Sequence, residues 1–169
     1  MPLDVYRTLC VAFAAGYLAL RTVARMDTTP HPELNHTARS AGAVGLGAIA
    51  LIHLLDLQGK LSETPYLGIA YIGLIVGCIA AAGLLIRGDV RRGWILGGGL
   101  AAATLVGYAI NRTLGMPSAM DDVGNWLEPL GLASVFVEAC VAVLAAVELR
   151  AFKARSGSIQ VADRAAATV

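Results

Sequence analysis

Five stretches of the chain stay apolar for long enough to read as helices in a bilayer, with short polar segments between them. The first has an apolar core at residues 8–20, flanked by Arg7 and Arg21. That core is short against the roughly 20 residues that cross a hydrocarbon layer, but snorkelling arginines extend it to a span over 5–23; the alternative is a segment that lies on the inner membrane surface, which leaves the other four spans in the same orientation. No basic leader or cleavage-type segment precedes it, so it reads as a retained span rather than a removed signal. Residues 40–57 form a second span, interrupted near its end by His53 and Asp56. Residues 66–86 form a third with no charge at all, residues 93–110 a fourth, and residues 130–149 a fifth, which Pro129 introduces at the position of a first-turn proline.

The segments between the spans carry the polarity. Residues 26–39, with two prolines, read as a loop; residues 58–65 as a polar turn; residues 87–92 as a tight basic loop. Residues 111–128 are the longest polar connection, and Ser118 followed by Asp121 fits a capping box that would open a short surface helix. The tail, 150–169, is basic and then Ala/Ser-rich, and is expected to be cytoplasmic and poorly ordered. The predicted fold is an all-α polytopic transmembrane helical bundle of five spans, a single domain over 1–149.

Composition agrees with a bilayer as the solvent. Apolar residues make up 57% of the chain and charged residues 15%, and mean hydropathy is +0.67. A soluble domain carries about 25% charged residues. A net charge of +1, with the basic residues at span ends, gives no nucleic-acid footprint. Cys10, Cys78 and Cys140 lie far apart in apolar runs, which excludes a disulfide framework or a Cys-x-x-Cys pair and leaves small packing residues.

The basic residues also choose an orientation. Arg21, Arg25, Arg39, Arg87, Arg91, Arg92, Arg150, Lys153, Arg155 and Arg164 fall on one side of a five-span topology, and Arg7, Lys60 and Arg112 on the other. The positive-inside rule then places the N-terminus and the loop at 111–128 outside and the C-terminus in the cytoplasm. Small residues recur every fourth position at Gly73, Gly77 and Ala81 and at Gly93, Gly97 and Ala101, with Ala103 and Gly107 on a second face. Such stripes let backbones approach closely, and the short loop between the two spans predicts that they face each other within one chain.

Candidate chemistry gathers at the outer end. His53 lies about 6 Å below the end of its span and Glu138 about 10 Å below the end of the last one, depths at which the two side chains can meet. Asp56 shares the histidine's face at i, i+3, and Ser134 the glutamate's at i, i+4. Glu63, Asp121, Asp122 and Glu128 lie above them, with Arg112, Asn111 and Trp126 in the loop. An ionisable group within a bilayer is costly, so Glu138 is expected to face the bundle interior beside a partner: His53, Arg112 or a bound cation. One reading makes His53, Asp56, Glu63 and Glu138 ligands of a metal ion, with Arg112, Asp121, Asp122, Glu128 and Trp126 as further binding residues; a small cationic ligand is the other occupant. The alternative is a structural pair, Glu138 with Ser134 or His53, under solvated loop acids. His31 and His36 lie in the loop at 26–39, and the chain has no catalytic Ser/His/Asp set and no phosphate loop.

The stretches IHLLDLQGKLSETPYLG, NRTLGMP, DDVGNWLEPLG and Ser134 to Glu138 resemble a group of small multi-pass membrane proteins common in actinobacteria. The resemblance covers residues 48–149. It implies a bacterial plasma membrane and four core helices, with the first segment an addition, and it carries no catalytic role. A non-enzymatic binding role is the expectation. An accessory subunit beside a membrane-protein partner, or a small transporter or membrane enzyme that uses Glu138 and His53 for proton transfer, are the alternatives.

Overall fold

A computed structural model describes the backbone of residues 32–166 and the side chains of residues 36–154. The span expected at 5–23 lies outside the described residues, as does His31. Four helices follow in order: α1 (Pro32–Glu63), α2 (Pro65–Arg87), α3 (Val90–Thr113) and α4 (Pro129–Ala166), with a 3-10 turn at Met120–Asp122 between the last two. No strand occurs among the described residues. Each helix contains a stretch long and apolar enough to cross a membrane: His36–Glu63, Pro65–Arg87, Val90–Thr113 and Pro129–Ala154. Large apolar side chains such as Val44, Leu55, Ile69, Ile79 and Phe136 cover the outside of the bundle, a surface suited to hydrocarbon rather than water.

The helices run past the ends that hydropathy marks. α1 begins at Pro32, within the stretch read as a loop, and continues to Glu63, so the turn expected at 58–65 contracts to Thr64. Proline explains both ends, since it is tolerated in a first helical turn and unfavourable further in. α2 stops at Gly88, whose φ of 96° suits glycine, and α3 starts at Val90, so the basic loop at 87–92 is mostly helix. α4 continues to Ala166 instead of ending near 149. The capping box does not form: Ala119 precedes the 3-10 turn without a side-chain cap, and Ser118 has φ 60°.

One buried stripe on each helix makes the core. Gly42, Leu46, Ile49 and His53 lie on α1; Cys78, Ala81 and Leu85 on α2; Trp94, Gly97, Ala101 and Arg112 on α3; Ser134, Glu138, Val141 and Ala145 on α4. The spacings of three and four are those of one helix face. Each stripe except that of α2 is apolar at one end of the bundle and polar at the other. Cys140 is exposed. Arg39 fastens the apolar end: its Nε donates to the Leu85 carbonyl at 2.9 Å and its Nη2 to that of Ile86 at 3.0 Å, two acceptors that the last turn of α2 leaves open.

The small residues divide into two groups. A Cβ at Gly97 would meet Leu46 at 3.0 Å and the Ala81 Cβ at 3.5 Å, and one at Gly93 would meet Leu85 at 2.7 Å, so these positions serve close approach, as expected of the stripe. Gly73 and Gly107 differ, because a Cβ there would meet nothing within 4 Å. They line a cavity. The two groups predict opposite outcomes in detergent-solubilised protein: Gly42→Leu, which drives a side chain into the Trp94 ring, lowers stability by about 1–3 kcal/mol, whereas Gly73→Ala leaves the melting temperature unchanged or raises it. Thermal unfolding of the two variants beside wild type checks this.

Candidate functional site

The polar ends of the four stripes converge on a cavity of about 460 Å³ between the C-terminal halves of α1 and α3 and the N-terminal halves of α2 and α4. His53 is 5% exposed and Glu138 1%, and the pair stands within the bundle, Nε2 to Oε1 3.8 Å. Ser134 donates to Glu138 Oε1 at 2.7 Å, the i, i+4 contact that its spacing predicts. The His53 Nδ1 lies 2.9 Å from the Ile49 carbonyl. A carbonyl only accepts, so Nδ1 carries a proton, and when the ring is neutral Nε2 presents a lone pair towards Glu138. The edge of Tyr71 meets the His53 ring at 4.6 Å and 81°, and its hydroxyl approaches the Asp56 carboxylate.

Arg112 organises the mouth. Its guanidinium is 4% exposed, although it stands one residue from the end of α3, because the loop folds back over it. Nη1 donates to Asp122 Oδ1 at 2.7 Å and to the Asp122 carbonyl at 3.2 Å, and Nη2 donates to Glu128. The guanidinium also lies 5.1 Å from the centre of the Tyr108 ring, in cation–π range. Asp122 accepts in addition from Asn111 Nδ2 at 2.9 Å and faces Lys60 at 3.6 Å. Burial alone would raise the Asp122 carboxyl, but the Asn111 hydrogen bond and the charges of Lys60 and Arg112 hold it below the usual aspartate range. Backbone contacts fix the same loop: Gly124 N–H donates to the Arg112 carbonyl at 2.9 Å, and the Tyr66 hydroxyl to that of Pro117 at 2.7 Å.

The structure sorts the residues expected from sequence. His53, Asp56, Arg112, Asp122, Glu128 and Glu138 line the cavity. Glu63 and Asp121 are exposed and do not. Glu63 lies ten residues beyond His53, about 15 Å along the axis, which carries it past the cavity. Asp121 sits next to Asp122 on a tight turn, where successive side chains diverge by about 120°. Trp126 also stays outside; it meets Tyr108 edge-on, and its carbonyl accepts from the Tyr108 hydroxyl at 3.3 Å. The proposed metal set therefore does not assemble: among the described residues, no three His, Cys, Asp or Glu side chains converge as metal ligands.

Sequence reasoning missed Tyr71, Tyr108 and Lys60. Tyr71 carries a hydroxyl deep in an otherwise apolar span, and Lys60, seven residues from His53, returns to within about 20° of its face. Both signals were present.

Two predictions follow from the mouth. Arg112→Ala strands two carboxylates and costs about 3 kcal/mol, the low end of the range for a broken buried pair because Asp122 and Glu128 keep some solvent access. Thermal unfolding in detergent measures it. An aspartate whose folded pKa is depressed contributes stability above its unfolded pKa, near ~3.9, and loses it as pH falls through the lower folded value. The gap in melting temperature between wild type and Asp122→Asn is therefore constant from pH 5 to 8 and closes below about pH 4. No family model, curated protein or solved structure matches this chain.

Proposed function

We propose that this chain is an integral protein of a bacterial plasma membrane that binds a small organic cation in the cavity, which opens to the outside. The observation that carries the reading is the charge balance of the cavity wall. Asp56, Asp122, Glu128 and Glu138 face it against Lys60 and Arg112. Arg112 is engaged by Asp122 and Glu128, and Lys60 by Asp122. Asp56 and Glu138 have no Lys or Arg within salt-bridge distance among the described residues. A carboxylate at membrane depth calls for a counter-charge, and a bound cation supplies one.

The rest of the wall gives the ligand its class. Leu67, Leu74, Leu100 and Leu130, with Gly73 and Gly107, leave an apolar space suited to an organic body, and the volume falls in the range of small-molecule sites. A bare metal ion fits less well, since its ligands do not converge. The outward direction rests on Arg39, Arg87, Arg91, Arg92 and Arg150, which lie towards the end of the bundle opposite the cavity.

Calorimetric titration of the protein in lipid nanodiscs with benzylammonium and benzyltrimethylammonium tests the reading. At least one of them binds to wild type, Glu138→Gln weakens that binding tenfold or more, and Asp121→Asn leaves it unchanged. Elemental analysis of protein extracted from its native membrane is the second arm. A near-stoichiometric metal in wild type that is lost from both Glu138→Gln and His53→Ala replaces this reading with a metal site.

A further inference from the structure

With the His53 ring neutral and the Glu138 carboxyl ionised, the floor of the cavity presents two hydrogen-bond acceptors that face each other. The Ile49 carbonyl takes the proton-bearing Nδ1 of His53, so Nε2 offers a lone pair, and it has no hydrogen-bond partner among the described residues. Opposite it, 3.8 Å away, is a carboxylate oxygen of Glu138 that accepts from Ser134 and keeps a second acceptor site. A separation of 3.8 Å exceeds any hydrogen bond between the two groups, and two facing lone pairs repel. Both side chains are more than nine-tenths buried, and both border the cavity.

From this geometry we infer that the site recognises an ammonium group with at least two N–H donors, a primary or secondary amine in its protonated form, held between His53 Nε2 and Glu138. The inference rests on the cation-binding reading above and deepens it. A nitrogen placed about 2.8 Å from each acceptor sees them at an angle of roughly 85°, so each N–H of a tetrahedral ammonium points within about 12° of its acceptor. Hydrogen bonds between charged partners are short and strong, and the carboxylate supplies the counter-charge as well as an acceptor. The apolar remainder of the ligand then lies along Leu74 and Leu100, in the space that Gly73 and Gly107 leave open. A quaternary ammonium carries the same charge but no donor, and it leaves Nε2 without a donor and the Glu138 oxygen with its Ser134 bond alone.

The methylation series benzylammonium, N-methylbenzylammonium, N,N-dimethylbenzylammonium and benzyltrimethylammonium tests this on wild-type protein in nanodiscs, without reliance on the folding of a variant. Charge and aromatic body stay nearly constant while the number of N–H donors falls from three to none. The expected result is a step: the first two bind comparably, and affinity drops about tenfold or more on passing to the dimethyl compound, the loss associated with one charged hydrogen bond. A flat series, or one in which the trimethyl compound binds tightest, overturns the donor rule while the cation site stands. Binding by none of the four overturns both. In His53→Ala, provided it unfolds at the wild-type temperature, the step shrinks, because the acceptor that demands the second donor is gone.

Discussion

A buried charge at the end of a helix can be kept only if something closes over it, and Arg112 imposes that condition on the polar end of this bundle. The guanidinium is drawn out of water by the fold of residues 114–128 and answered there by Asp122 and Glu128. Those two acids come from opposite ends of the loop's second half, so the ion pairs fix the path of the backbone as well as the charge. The Gly124 N–H on the Arg112 carbonyl and the Tyr108 ring beside the guanidinium complete the closure. Because the loop is held in this way, the start of α4 is held too, and Glu138 is delivered opposite His53.

The same closure separates two kinds of carboxylate that composition treats as equal. Asp122 and Glu128 are spent on Arg112 and Lys60, and their role is architectural. Asp56 and Glu138 face the cavity without a Lys or Arg in salt-bridge reach among the described residues, one beside Tyr71 and the other beside Ser134. The distinction is one of partners and not of depth alone, and it divides the acids at one end of the bundle into those that hold the loop and those that face the cavity.

Much of this was legible in the chain, and the boundary of legibility has a physical reason. Hydropathy marks where side chains leave hydrocarbon, so the four described spans and the meeting of His53 with Glu138 could be read from depth and helical period. Hydropathy does not mark where backbone hydrogen bonding stops. Residues 58–63 are polar and still helical, and α1 starts at Pro32 for the same reason. Arg112 was visible as a charge, but its burial depends on the course of an irregular loop, which no periodicity encodes. Glu63 and Asp121 looked like members of the site because hydropathy assigns them to the same end of the bundle as His53, while height along an axis and direction off a tight turn decide whether a residue reaches the cavity. The small-residue stripes carry a similar ambiguity: a glycine that admits a neighbouring helix and one that leaves a cavity open read identically until the opposite wall is known.

Arg39 has a consequence for the order in which the bundle is made. Its two hydrogen bonds to Leu85 and Ile86 join the start of α1 to the end of α2, and at the other end of the pair a single residue, Thr64, separates the helices while Leu61 lies against Gly68. Both ends of this helical hairpin are thus closed by groups that lie between residues 39 and 86. All of them have been synthesised before α3 begins, so this pair can form as a unit before the rest of the described bundle. The half of the wall that carries His53 and Tyr71 is then already in place when Arg112 and Glu138 arrive to complete it.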